Sequence, residues 1–247
     1  MVDFLQDLRL AVRSLARTPK FSLAVILTLS VGIGSLVSDF SLVNAFILRP
    51  LEFEEPSQLT HIWKADRQRG ISQMRFSMPT IDELSAGCEG CQDVAAYNYF
   101  SANLAGGDEL PEGIIAGRLT QNMLPLLGAP ARIGRVFSTE DAERGGVILL
   151  DHGLWQRRFG GREDVVGQSV LLNEEPHTVI GVMPESFNFP YGGVKAWVVI
   201  QPGLDTWDRD YRNFMPVVRR QAGVTAAQIA SQMETHDLVE RLENDDN

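Results

Sequence analysis

Four histidines, two cysteines and one Asp-His pair are the residues of this chain whose types would carry chemistry. His61, His152, His177 and His236 are scattered, with no HxH, HExxH or HxxxH pair, so a metal site would have to be assembled from distant segments and each histidine reads as structural. Cys88 and Cys91 form Cys-Glu-Gly-Cys. In an oxidising compartment the pair closes a small disulfide; otherwise it stays as two thiols, and redox use would call for a thioredoxin-like strand and helix pattern that the flanks lack. Two thiolates do not complete a tetrahedral zinc site. Asp151-His152 has the look of an acid-base pair, yet it falls at a strand-to-helix junction where Asp serves as an N-cap. Neither GxSxG nor GxxxxGK[ST] occurs, which removes the serine-hydrolase elbow and the P-loop nucleotide site. The expectation is a chain that is not an enzyme, with no catalytic, cofactor-binding or metal residue assigned.

The element that would position everything else is Phe21 to Leu48, an apolar run whose single charge is Asp39. As a helix rising about 1.5 Å per residue it is roughly 40 Å long, enough to cross a hydrocarbon core of about 30 Å. Arg9, Arg13, Arg17 and Lys20 precede it and Glu52, Glu54 and Glu55 follow, so the N-terminus is expected in the cytoplasm and the main domain outside. Phe4, Leu5, Leu8, Val12, Leu15 and Ala16 fall on one face of an amphipathic helix lying along the cytoplasmic membrane surface. A signal peptide, with Val43-Asn44-Ala45 as a weak cleavage site, is the alternative; the long apolar run favours a retained anchor. Ser30, Gly34 and Ser38 recur every four residues and would place three small side chains on one helix-docking stripe.

The net charge is −10 at 247 residues, and the part after Leu48 holds 18 basic and 29 acidic residues, a balance of −11. That argues against nucleic acid, which needs a basic face. In this part Gln58 to Ala65 reads as a strand and Pro79 to Ala86 as a helix; Asp93 to Leu104 and Glu112 to Leu119 read as strands, and Gln121 to Leu127 as a short helix ended at Gly128. After Gly134 the texture turns to short strands. Val147 to Leu150 precedes a helical turn over Gly153 to Phe159, and Gln168 to Leu172 with Thr178 to Val182 flank Asn173-Glu174-Glu175-Pro176 as a hairpin. Trp155, Arg157, Arg158 and Phe159 form either an exposed aromatic-basic patch or an inward-packed pair of aromatics. Asn213 to Arg220 returns as a strand, and Thr225 to Leu242 closes the chain as an amphipathic helix capped by Thr225.

Particular strings then carry a resemblance. LQDLRLAVRSLARTPKFSLAVILTLSVGIGSLVSDFSLVNAFILRPLEF resembles the N-terminal region of MacB-like or FtsX-like ABC transporter permeases, in the duplicated-permease branch common in acidobacteria. The elements Gly-Arg-x-Phe, Leu-Trp-Gln-Arg-Arg-Phe-Gly-Gly and Val-Ile-Gly-Val-Met-Pro, all between Gly134 and Pro184, look like the periplasmic core domain of the same family. The resemblance implies an α+β fold. A cytoplasmic amphipathic helix (1–19) and a transmembrane helix (20–48) would precede a periplasmic core domain (49–247), with a porter-like α/β sandwich (49–130 and 205–247) and an inserted β-rich part (131–204). It implies a single-pass component in the inner (plasma) membrane that partners a cytoplasmic ABC ATPase, a second copy or another permease subunit, and the lipid bilayer, for efflux or mechanotransmission. Such permeases continue into three more membrane helices, so a component truncated before them is expected at Asp246-Asn247. The competing expectation is a single-span anchored extracytoplasmic binding or sensor protein that has lost transport.

Overall fold

The computed structural model describes residues 19–20, 23, 27–30, 32–34, 53–66, 71–106, 109–203 and 208–232. The chain divides into two compact units, Met1–Leu51 and Glu52–Asn247. In the first, the described residues are helical and exposed. None of the described helices is long and apolar enough to cross a membrane. Most of the expected span, and nearly all of the amphipathic helix before it, lies outside the described residues.

The second unit is an α+β domain. Its strands are β1 (Leu59–His61), β2 (Lys64–Asp66), β3 (Ile71–Met74), β4 (Cys91–Gly106), β5 (Glu109–Leu119), β6 (Ile133–Gly134), β7 (Val147–Leu150), β8 (Ser169–Leu172), β9 (Glu175–Val182), β10 (Val194–Val199) and β11 (Met215–Arg220). Its helices are α1 (Met78–Gly87), α2 (Met123–Leu127), α3 (Thr139–Arg144) and α4 (His152–Phe159), followed by a helical segment at 226–232. The main sheet runs β1-β11-β4-β5-β10-β7-β9-β6, and β2 and β3 form a separate ribbon. β4 is long enough to serve two neighbourhoods. Its first half pairs with β11 (Met215↔Tyr97 through Arg220↔Cys91), and its last residues pair with β8 (Leu104↔Leu172, Ala105↔Leu171). Because β8 also pairs with β9, the sheet closes on itself through β4, β5, β10, β7, β9 and β8.

Burial follows from this closure. Leu104, Ile114, Ala116, Ile148, Leu150, Val179, Val182 and Ala196 form a cluster within the closed strands, with Leu154, Trp155 and Phe159 of α4 packed against them. Alternate residues of the same strands, such as Tyr97, Leu119, Leu149 and Trp197, join Met123, Leu124 and Leu127 of α2 in a second cluster, as a period of two requires. A third cluster holds α1 through Met78, Ile81 and Leu84 against Val94, Ala96 and Val218.

Several expectations need correction. The strand expected over Gln58 to Ala65 breaks at Ile62-Trp63, because Leu59–His61 pairs with β11 whereas Lys64–Asp66 pairs with β3. The β8–β9 turn is only Asn173-Glu174, both with positive φ (51° and 70°), and Glu175 and Pro176 already belong to β9. Such a left-handed pair matches the twist of its flanking strands. Of the two arrangements open at Trp155 and Phe159, the inward one is observed, and Arg158 is buried with them. Separately from these corrections, β10 pairs with β5 on one side and β7 on the other.

Candidate functional site

The expected site residues fall in three places. Cys88 and Cys91 are joined, with Cα atoms 5.6 Å apart, and close the turn between α1 and β4. Ser30 and Gly34 are helical and exposed, and a Cβ added at Gly34 would meet nothing within 4 Å. Ser38 lies outside the described residues. Ser30 and Gly34 thus belong to the first unit, and Cys88 and Cys91 to the second.

The three described histidines lie on different elements. His61 is exposed on the edge strand β1, its ring edge-on to Tyr97 at 5.8 Å. His152 opens α4 beside Trp155, and His177 Nδ1 lies 2.9 Å from the Glu175 carbonyl oxygen. His236 lies outside the described residues, among which no group of three or more metal-ligating side chains occurs. Asp151 caps α4, its Oδ2 accepting from the Leu154 N–H at 3.0 Å, and Lys195 Nζ stands 3.5 Å from the same oxygen.

A cleft of about 510 Å³ opens beside the β4–β5 hairpin, lined by Ser101, Asn103, Glu112, Arg157, Asn173 and Lys195 among others. Its charges answer one another. Arg157 donates to Glu112 through Nη1 at 2.9 Å and Nη2 at 3.1 Å, and this hydrogen bonding holds the Glu112 carboxyl below its ordinary range. Lys195 donates to the Gly192 carbonyl at 3.0 Å. The arrangement offers polar contacts to a ligand but no nucleophile beside a base.

Two buried arginines, neither of them expected as a site residue, make several hydrogen bonds among the described residues. Arg158, its side chain fully buried, donates from Nε to the Gly106 carbonyl (2.8 Å) and from Nη1 to the Leu110 carbonyl (3.0 Å), bracing the hairpin at both sides of its tip. Arg219, 7% exposed, sits on β11, which pairs with β1 as Leu59↔Arg219, Thr60↔Val218 and His61↔Val217. The first strand of the domain thus lies against its last. Arg219 closes the apolar run Val217-Val218 and is followed by Arg220-Gln221, so no local pattern in the sequence marks it as buried.

The strings that carried the resemblance have structural reasons. Gly134 has φ +76°, and a Cβ there would stand 2.2 Å from the Ile180 carbonyl oxygen. Gly181 faces it, with an added Cβ 2.7 Å from both the Ile133 and Arg135 carbonyl oxygens, so β6 and β9 approach only as glycines. Gly160, in the left-handed region, ends α4.

Comparisons with known proteins agree with this fold. Over 72 residues the chain is 36% identical to the Probable export ATP-binding/permease protein MacB of Pseudomonas entomophila, covering 28% of this chain and 11% of that one. Over 95 residues it is 34% identical to the Probable syringafactin export ATP-binding/permease protein SyfD of Pseudomonas syringae pv. tomato, covering 34% and 14%. The chain thus matches only a small part of the length of these curated relatives. The periplasmic region of MacB from Actinobacillus actinomycetemcomitans superposes with a TM-score of 0.55 at 16% identity, covering 77% of this chain and 88% of that structure. Residues 22–236 match the family model of the MacB-like periplasmic core domain, and the chain belongs to that family.

Proposed function

We propose that this chain is the membrane-anchored, extracytoplasmic component of an ABC export permease, acting without chemistry of its own. It works with a cytoplasmic ABC ATPase and with a second copy or another permease subunit, held in the plasma membrane with its N-terminus inside. The observation that carries the reading is the family match itself, which begins inside the apolar stretch at residue 22 and runs through the folded domain to 236. The paired Cys88 and Cys91 support an oxidising side for the domain. Porter-like and β-rich parts, divided at 131 and 205, remain our description of how the domain is organised.

Membrane fractionation with thiol labelling tests this reading. The chain is expected in the membrane fraction, with Cys88 and Cys91 open to a membrane-impermeant maleimide added outside the cell only after reduction. An ABC ATPase should co-isolate in mild detergent. A chain that stays soluble without detergent, or cysteines labelled only from the cytoplasmic side, would sink the proposal. The polar cleft favours a second reading, since its volume lies within the range of small-molecule sites. Membrane retention with repeated absence of the ATPase would support that anchored binding protein instead.

A further inference from the structure

We infer that Arg219 and Arg220 are positioning residues that fasten the chain's entry into the outer domain to its exit, so that both connections move as one body. The consequence for transport rests on the permease reading above; the fastening does not.

The entry strap, Phe53 to His61, makes its contacts one after another. Phe53 packs edge-on against Phe187 and Phe189 at 6.3 and 6.2 Å between ring centroids. The Glu54 N–H donates to the Leu127 carbonyl at the end of α2 (3.2 Å). The Glu54 carbonyl accepts from Arg219 Nη2 at 2.7 Å. The same guanidinium donates twice to the Leu126 carbonyl, from Nε at 2.8 Å and from Nη2 at 2.6 Å. Helix ends leave such carbonyls without partners, and here the strap and Arg219 supply them. Arg220 continues the grip. Its Nε donates to Thr60 Oγ1 at 2.9 Å and its Nη2 to the Ser57 carbonyl, both on the strap, while its Nη1 donates to the Val224 carbonyl on the exit turn.

Two neighbouring arginines reach one strap because β11 is irregular against β4 between Arg219 and Arg220. A bulge of this kind breaks the alternation of faces and re-aims side chains. β1 has only three residues and lies at the sheet edge, so its ladder alone is a weak tie. The side chains make the tie cooperative. Among the described residues no carboxylate lies within ion-pair reach of Arg219, so its buried charge is compensated by carbonyls. Lifting the strap would strip one of them from a charge that stays buried.

The exit is pinned as well. The Gln221 N–H donates to the Gly90 carbonyl at 2.8 Å, inside the turn closed by Cys88 and Cys91, and Val224 lies directly over Gly90. Thr225 then caps the closing helix, accepting from the Gln228 N–H at 3.3 Å, while Gln228 Oε1 accepts from the Thr225 N–H at 2.8 Å.

The test uses the full chain in nanodiscs with its co-isolated ATPase and compares wild type with Arg220→Gln and Arg219→Lys. Amide hydrogen exchange at residues 54–62 is expected to rise about tenfold in each variant, the factor that loss of one charge-assisted hydrogen bond implies. A fluorophore on Leu110→Cys, at the 86% exposed hairpin tip, reports movement of the outer domain on ATP addition. That signal should vanish in Arg220→Gln while ATP hydrolysis continues. It should return when a His61→Cys/Val217→Cys pair, adjacent in the β1–β11 register and outside both arginine contacts, is oxidised to a disulfide. Exchange within about twofold of wild type in both variants would overturn the fastening. Raised exchange with an undiminished tip signal would overturn the transmission role. No ATP-dependent signal in wild type would instead refute the permease reading, and the exchange data would still decide the fastening.

Discussion

Asp141 gathers several polar contacts at one buried carboxylate. Arg135 donates to both of its oxygens, and Ser138 donates to Oδ2 from its backbone N–H and its hydroxyl, each at 2.8 Å. The Arg135 hydrogen bond is the largest cause holding the carboxyl down, from the usual 3.8 to about 2. A depressed carboxylate adds stability that is fully present above its unfolded value. That stability is lost as pH falls from about 4 through about 2. Asp141→Asn is therefore expected to cost about 1–2 kcal/mol at neutral pH and to flatten the acid limb of a denaturation profile followed by circular dichroism. Asn98 is the opposite case. It is fully buried on β4, and neither of its side-chain polar atoms has a partner among the described residues. Removing an unsatisfied buried amide relieves a desolvation cost, so Asn98→Leu should raise the unfolding free energy in urea by about 1 kcal/mol. A loss of stability would show that the amide has a partner in solution.

At the scale of elements, the β4–β5 hairpin depends on a residue outside it. Its tip carries Leu110 almost fully exposed, and the carbonyls of Gly106 and Leu110 both look to Arg158 of α4. Arg158→Met keeps the apolar stem and removes the donors, so a loss of about 3 kcal/mol and faster exchange at residues 104–111 are expected. Much of this element structure was legible beforehand. The sequence predicts β7 with its observed ends, Asp151 as a cap, and a stop of α2 at Gly128, because these depend on apolar runs and local capping geometry. It does not predict β10. Val194–Val199 is buried along nearly its whole length between a parallel and an antiparallel neighbour, and a strand covered on both faces loses the alternation that marks one. α3 was missed because its signal is a capping box on six residues, too short for a helical period to show.

For the whole molecule, the proposed anchor and its small-residue stripe carry a prediction of their own. Ser30 and Gly34 are helical, and Gly34 leaves room for close approach of a second helix. On the proposed reading, Gly34→Leu is expected to reduce disulfide crosslinking between copies carrying one cysteine introduced into the apolar run severalfold, while membrane insertion is unchanged. Equal crosslinking would mean that the stripe is ordinary membrane composition. What the amino-acid order determined alone was local or cumulative: an apolar run long enough to span a bilayer, an acidic remainder, short strands and caps, and strings of glycine and aromatics specific enough to point to the family. Tertiary structure decided the rest. Whether the sheet closes through β8, whether Arg158 faces solvent or a hairpin's carbonyls, and whether β1 lies against β11 all depend on partners distant in sequence; Arg219 and Glu54 are 165 residues apart. No period or propensity reports such a separation. It becomes visible only when a buried charge has to find its acceptors.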